Sequence, residues 1–314
     1  MQTPGTTDFR QKEFRYGSFF FTGLTGLATG LILALLAVML TNIVLHGWPG
    51  LSWRFVSTIP KKDVFDPATT GILPMIVGTT IRVMLMTIFV LPVGVITAVY
   101  LTEYARKTSV LTRIIRTAVN NLAGVPSVVF GLFGLGFFIN FVGRNLDLAL
   151  HNGEKAWGQP SLIWASLTLA VMTLPVVIVT TEEALRSVPQ GLREASLALG
   201  ATKLKTIVKI VLPQALPGIL TGGILAVGRA AGEVAPILFT GVAYYMSSLP
   251  THLTDQFMDL GYDVFVLSTQ SPNIDQTTPI LYTTVLVLLM LTFALNIVAI
   301  LVRSRMRRNL RSLH

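Results

Sequence analysis

The chain contains no cysteine, which excludes both disulfides and thiolate metal sites. Histidine is scarce too: His46, His151, His252 and His314 stand isolated, and none falls at a metal-ligand spacing. There is no G-x-x-x-x-G-K-[S/T] phosphate loop, no G-x-S-x-G nucleophile elbow, no internal repeat and no low-complexity tract. Within the apolar segments no Ser or Asp pair suggests an intramembrane hydrolase. Charged residues make up only 12% of the chain, against 52% hydrophobic. These absences argue against an enzyme and leave no site for ATP on this chain.

What the sequence has in abundance is uncharged length. Charge-free runs lie between Arg15 and Arg54, Arg116 and Arg144, Lys155 and Glu182, and Asp275 and Arg303. Each exceeds the roughly 20 residues that a bilayer-spanning helix requires. Two more spans emerge when isolated charges are tolerated, one interrupted by Arg82 and one by Arg229 and Glu233. The expectation is an all-α, polytopic membrane protein with six transmembrane helices, at about 18–46, 73–101, 118–143, 161–181, 213–243 and 279–303. The first segment is too long for a signal-peptide core and lacks a convincing cleavage site, so it reads as a retained span.

Basic residues set the orientation. Residues 1–17, 102–117, 182–209 and 303–314 carry seventeen Lys and Arg, whereas 47–72, 143–160 and 244–278 carry five. By the positive-inside rule both termini are cytoplasmic. The expected organisation is a cytoplasmic N-terminal segment over 1–17, a permease domain over 18–303 with a cytoplasmic loop at 182–212, and a basic tail over 304–314. The net charge of +9 is then topology and a membrane-facing fringe, not a nucleic-acid surface. No cytoplasmic segment exceeds about 30 residues, too few for a nucleotide-binding domain of on the order of 100. If ATP is used, another subunit binds it.

The loop at 182–212 has its own punctuation. Pro189 near the start and Gly200 at the end bracket a short helix, and Leu212-Pro213 marks the start of another. On a helical wheel Leu192, Ala195, Ser196 and Leu199 share one side, with Leu197 and Ala198 opposite beside Arg193 and Glu194. A helix that is small or apolar on nearly every side, just outside a membrane, needs cover. Either a separate partner docks there, on Glu194, Ala195, Ser196, Leu199 and Gly200, or the helix rests on lipid headgroups.

Three charges remain inside the hydrocarbon region: Arg82, and Arg229 with Glu233 one helical turn apart. A charge at the bilayer centre costs about 2.5–3.5 kcal/mol on insertion scales, so such groups face a cavity or a partner. Arg229 and Arg82 could line a path for an oxyanion, whose geometry suits a guanidinium fork. Alternatively Arg229 and Glu233 neutralise each other, and Arg82 snorkels toward its span end. Segment 244–278 has no Lys or Arg but has Asp255, Asp259, Asp263 and Asp275, making it an acidic external loop, solvated or re-entrant. Gly26-x-x-x-Gly30, Gly218-x-x-x-Gly222 and Gly228-x-x-x-Gly232 suit close helix packing, and Pro213, Pro217 and Pro236 imply kinks around the fifth span.

The loop resembles the signature of the inner-membrane permeases of binding-protein-dependent ABC importers, Glu-Ala-Ala-x3-Gly-x9-Ile-x-Leu-Pro. It reads here Glu194-Ala195-Ser196, Gly200, Ile210 and Leu212-Pro213, with Ser in place of the second Ala. Gly228–Thr240, Asn121–Gly131 and Phe265–Gln270 are similar to the PstA-type permeases of phosphate importers. The resemblance, over about 73–305, implies a translocation path shared with a PstC-like sister permease. It also implies a pair of PstB-like ATPases holding ATP and Mg, and a phosphate-binding protein outside. It assigns Glu194, Ala195 and Gly200 to ATPase docking and Arg229 and Glu233 to phosphate passage. A permease for sulfate, molybdate or phosphonate, and an ATP-independent channel or secondary transporter, stay open.

Overall fold

A computed structural model describes residues 16–60, 65–66, 70–106, 108–150 and 152–311. Residues 1–15 and 312–314, Lys61, Lys62, Lys107 and His151 lie outside the described residues, and with them most of the expected N-terminal segment and the end of the tail. The helices are α1 (Tyr16–Gly47), α2 (Trp53–Ser57), α3 (Leu73–Val99), α4 (Val110–Leu122), α5 (Ser127–Phe133) and α6 (Arg144–Leu150). They continue with α7 (Leu162–Arg186), α8 (Gln190–Ala198), α9 (Lys203–Thr206), α10 (Leu212–Ala231), α11 (Leu260–Thr269) and α12 (Ile274–Arg311). Wider π-helical turns at Tyr100–Tyr104, Gly134–Gly143 and Ile207–Val211 extend α3, join α5 to α6, and join α9 to α10. Among the described residues six helical stretches are long and apolar enough to cross a membrane: Phe20–Gly50, Leu73–Tyr104, Ser127–Leu150, Leu162–Arg186, Lys203–Ala231 and Ile274–Met306.

The core is built where α3, α7 and α10 meet. Val83, Met86 and Val90 of α3 pack with Leu169 and Val177 of α7 and Ala230 of α10. Lipid tails are as apolar as these side chains, so the packing cannot rest on hydrophobic transfer and depends on close approach. Small residues supply it: a Cβ on Gly218 would strike Ala184, and one on Gly222 would strike Thr180, so the first glycine pair of α10 seats that helix on α7. Gly26 and Gly30 have nothing within 4 Å, and that part of α1 stands clear of the bundle. The buried hydroxyls of Thr168 and Thr173 donate to the carbonyls of Trp164 and Leu169 one turn back, which satisfies them in an apolar setting.

The third and fifth spans differ most from those expected. The third span begins at Ser127 and runs to Leu150, because Gly124-Val125-Pro126 interrupts the chain and a residue preceding proline is driven out of the helical region. Residues 110–122 form α4 instead, a separate helix with Val110, Leu111 and Ile114 exposed. Arg116 fastens it, donating to Glu182 of α7 at 2.8 Å and to the Leu101 carbonyl at 2.9 Å. The fifth span starts earlier, at Lys203, and stops at Ala231. Pro213 lies at the start of α10 beside the π turn, where its missing N–H falls as the hydrogen-bond ladder changes register. Beyond Ala231 the chain breaks at Gly232 and turns through Pro236, so Glu233 follows the helix instead of lying on it.

Segment 244–278 folds back into the bundle. Phe257, Met258 and Leu260 are buried, Met258 and Leu260 in a cluster with Ile72, Met75 and Ile280, and Phe257 in the central core beside Leu169 and Ala230. Its carbonyls also close the start of α7: the N–H groups of Leu162 and Ile163 donate to Asp255 and Leu253, at 2.8 and 3.0 Å. These are donors that the first turn of a helix leaves unpaired. The Asp255 carboxylate accepts from the backbone N–H groups of His252 and Thr251, and those bonds hold it below the usual carboxylate range.

Candidate functional site

Two clusters collect the residues singled out from the sequence. The first is α8. Pro189 precedes its first turn and Gly200 ends it at φ +81°, a left-handed conformation that glycine adopts without strain. The Gly200 N–H donates to the Leu197 carbonyl at 3.0 Å and the Ala201 N–H to the Ser196 carbonyl at 3.2 Å, the paired bonds of a Schellman stop. No residue of α8 is buried. Leu192, Leu197 and Leu199 are all exposed, Leu199 at 89%, alongside Glu194, Ala195 and Gly200. Ser196 is turned the other way, with its hydroxyl 2.9 Å from that of Thr206. Four of the five proposed docking residues therefore form one open surface, and Ser196 belongs to its support.

Arg193 also faces inward, and sequence reasoning had passed over it. Its guanidinium donates to the Leu185 carbonyl in the last turn of α7 and to the Val188 carbonyl just beyond it, both at 2.7 Å. The same group donates through Nε and Nη2 to Glu103 at 3.2 and 2.9 Å. Both side chains are close to nine-tenths buried. The signal was an arginine one position before Glu194, on a helix otherwise small and apolar.

The second cluster surrounds the end of α10. Arg229 and Glu233 pair, Nε to Oε1, at 3.3 Å, but the arginine side chain remains 45% exposed and the glutamate 22%. Such a guanidinium, at the end of a membrane span, is left for something outside this chain to cover. Arg82 reaches the same helix end from α3 and is fully buried. It donates to the carbonyls of Ala230, Ala231 and Glu233 at 3.1, 3.3 and 3.4 Å, and pairs with Asp259 at 2.8 Å. A cation over the last carbonyls of a helix meets both its unpaired acceptors and the negative end of its dipole.

Asp259, which the sequence showed only as one aspartate of an acidic external loop, is buried beside Arg82. One oxygen accepts from Arg82 and from the Thr79 hydroxyl, and the other from the N–H groups of Gly261 and Tyr262, which caps α11. Arg82 therefore does not snorkel; it finds a carboxylate from the returning loop. The legible sign was an aspartate directly before an apolar run, a helix-start signature. The structure thus brings Arg82 and Arg229 to one helix end with different duties, Arg82 holding the backbone and Arg229 presenting its charge outward.

Comparison with known proteins bears on this arrangement. The pattern of the family described as binding-protein-dependent transport system inner membrane component matches residues 90–308. The probable ABC transporter permease protein YqgI of Bacillus subtilis (strain 168) is 37% identical over 219 residues, 70% of this chain and 68% of that one. The phosphate transport system permease protein PstA 1 of Mycobacterium tuberculosis (strain H37Rv) is 35% identical over 236 residues, 75% of this chain and 70% of the relative. Among solved structures, a bacterial alginate ABC transporter in complex with its pentasaccharide-bound periplasmic protein superposes with a TM-score of 0.61 at 14% identity, covering 93% of this chain and 94% of the other. A chain of the MetNI methionine ABC transporter in an inward-facing conformation superposes at 0.51 and 20% identity, covering 75% and 94%. These two share the fold.

Proposed function

This chain belongs to the family of binding-protein-dependent transport system inner membrane components, and from that membership we propose that it is a PstA-type permease subunit of an ATP-driven importer of inorganic phosphate. It is a transport component and not an enzyme. The observation that carries the choice of an anion is Arg229, whose half-exposed guanidinium stands at the end of a span with only a partial claim from Glu233. A guanidinium in a water-poor setting recognises oxyanions through charge-assisted, forked hydrogen bonds. The phosphate permeases among its relatives support phosphate over other oxyanions.

In this reading the path is shared with a PstC-like sister permease, which covers the open side of Arg229. A pair of PstB-like ATPases binds ATP and Mg and seats against α8, and a phosphate-binding protein delivers cargo from the external side. Both termini and α8 face the cytoplasm of the bacterial inner membrane, as the distribution of Lys and Arg supports. ATP binding on the partner and opening of the path bias one common equilibrium between rigid arrangements of helices.

The test is the complex reconstituted in proteoliposomes with all four kinds of subunit. Inorganic phosphate should stimulate ATP hydrolysis and be accumulated, with excess sulfate or molybdate competing weakly. Stimulation by sulfate or molybdate instead would transfer the assignment to another oxyanion, and accumulation without ATP would point to a channel or secondary transporter.

The docking surface has its own expected outcome. A Cβ at Gly200 meets no neighbouring atom, so Gly200→Ala acts through backbone strain alone, at about 1 kcal/mol. Purified complex should retain severalfold less ATPase, with the thermal unfolding of the spans unchanged. Full retention would separate the left-handed stop from docking.

A further inference from the structure

The cytoplasmic end of α3 is a meeting point. Three cations from three different elements converge on the π turn Tyr100–Tyr104. Arg193 of α8 binds Glu103, Arg116 of α4 binds the Leu101 carbonyl, and the Lys203 ammonium of α9 lies 4.9 Å over the Tyr104 ring. All three meet the negative end of the α3 dipole. Some twenty residues toward the other end of the same helix, Arg82 grips the last carbonyls of α10, next to Arg229 and Glu233. At 1.5 Å per residue the two attachments lie roughly 30 Å apart.

We infer that α3 is the connecting rod of this permease, and that the Arg193–Glu103 pair is the joint by which displacement of α8 enters it. This rests on the functional reading above. The chain itself ties α8 to α7 and, through α9, to α10; α3 has no such covalent link. Arg193 supplies a hydrogen-bonded tie in its place, with a geometry that only a guanidinium offers. One fork serves two carbonyls at the end of α7 and a carboxylate on α3, so the three move as one body with the docking helix. At the far end Arg82 delivers the movement to the backbone beside the candidate path. The rod has two separate polar attachments, which is the contiguous physical connection that coupling between distant sites requires. Arg193 and Glu103 are positioning residues and touch no substrate.

Glu103→Ala isolates the joint, because Arg193 keeps its bonds to the Leu185 and Val188 carbonyls. In the complete reconstituted complex the variant should retain the ATPase and hydrolyse ATP. Phosphate accumulated per ATP should fall about tenfold, the scale on which one charge-assisted hydrogen bond shifts an equilibrium. Arg193→Lys, which keeps the charge and loses the fork, should uncouple similarly, and Glu103→Gln, which keeps an acceptor oxygen, should recover part of the ratio. An unchanged ratio overturns the proposal. So does a parallel fall of uptake, hydrolysis and retained ATPase, which marks a merely structural pair.

A second readout is independent of cargo. The cysteine-free chain accepts single labels at Ile96→Cys on α3 and Leu204→Cys on α9, both exposed positions. The distance between them should stay constant on ATP binding in the parent chain and become ATP-dependent with Glu103→Ala. A constant distance in both would sink the joint. If the unsubstituted complex moves no phosphate but these distances behave as expected, the cargo assignment fails and the rod stands.

Discussion

Arg229→Gln should cut phosphate uptake by the reconstituted complex by one to two orders of magnitude while leaving its amount, its membrane insertion and its retained ATPase unchanged. The expectation follows from the two faces of the α10 terminus. The backbone there is held by Arg82, so removing the Arg229 charge costs little structure; what is lost is an outward guanidinium whose partner in this chain sits at 3.3 Å. Hydrogen bonds to charged groups contribute about 1.5–3 kcal/mol each, so losing even one to a passing oxyanion lowers uptake by one to two orders of magnitude. Arg229→Lys, with charge but no fork, should fall between. Normal uptake by a normally assembled Arg229→Gln complex would remove Arg229 from the path and leave the family assignment untouched.

The largest effect on stability belongs to Asp259→Ala. Arg82 and Asp259 are both fully buried, and removing one partner of such a pair leaves the other as an uncompensated charge, a loss of about 3–5 kcal/mol. The same substitution deletes the cap of α11 and the acceptor of the Thr79 hydroxyl. The variant should accumulate poorly and unfold at a markedly lower temperature in detergent. The double variant Arg82→Met with Asp259→Leu should recover much of the unfolding temperature, because neither charge then needs a partner. It should not recover uptake, since the carbonyls at the end of α10 lose their anchor. A single Asp259→Ala protein as stable as the parent would show that the pair is not what joins α3 to the returning loop.

How legible was all this? The six spans were, because hydrocarbon tolerates few charges and each charge-free run is long enough to cross it. Their boundaries were less so: counting charges from Arg116 overlooks Gly124-Val125-Pro126, where backbone geometry and not hydropathy starts the helix. The docking helix was legible because proline and glycine punctuate it whatever the tertiary context. Its inward face was not, since the wheel sets Ser196 beside Leu192, Ala195 and Leu199 with Arg193 opposite, and cannot show that both side chains turn toward neighbouring elements. The partner of Arg82 was hidden for a related reason. Arg82 sits on the second span and Asp259 after the fifth, and no local pattern couples them. Arg229 and Glu233, four residues apart, were visible as a pair, although the end of the helix between them was not.

The Arg82–Asp259 pair also imposes an order of events at birth. Arg82 leaves the ribosome with the second span, and its carboxylate partner is synthesised only after the fifth. Through that interval the nascent chain carries a lone cation whose burial costs about 2.5–3.5 kcal/mol on insertion scales. The apolar length of the second span outweighs that cost, and the cation is left without its carboxylate until the later segment is made. It settles into place late, when Asp259 arrives and the last loop closes over it. A chain cut short before residue 259 is left with Arg82 uncompensated in its second span.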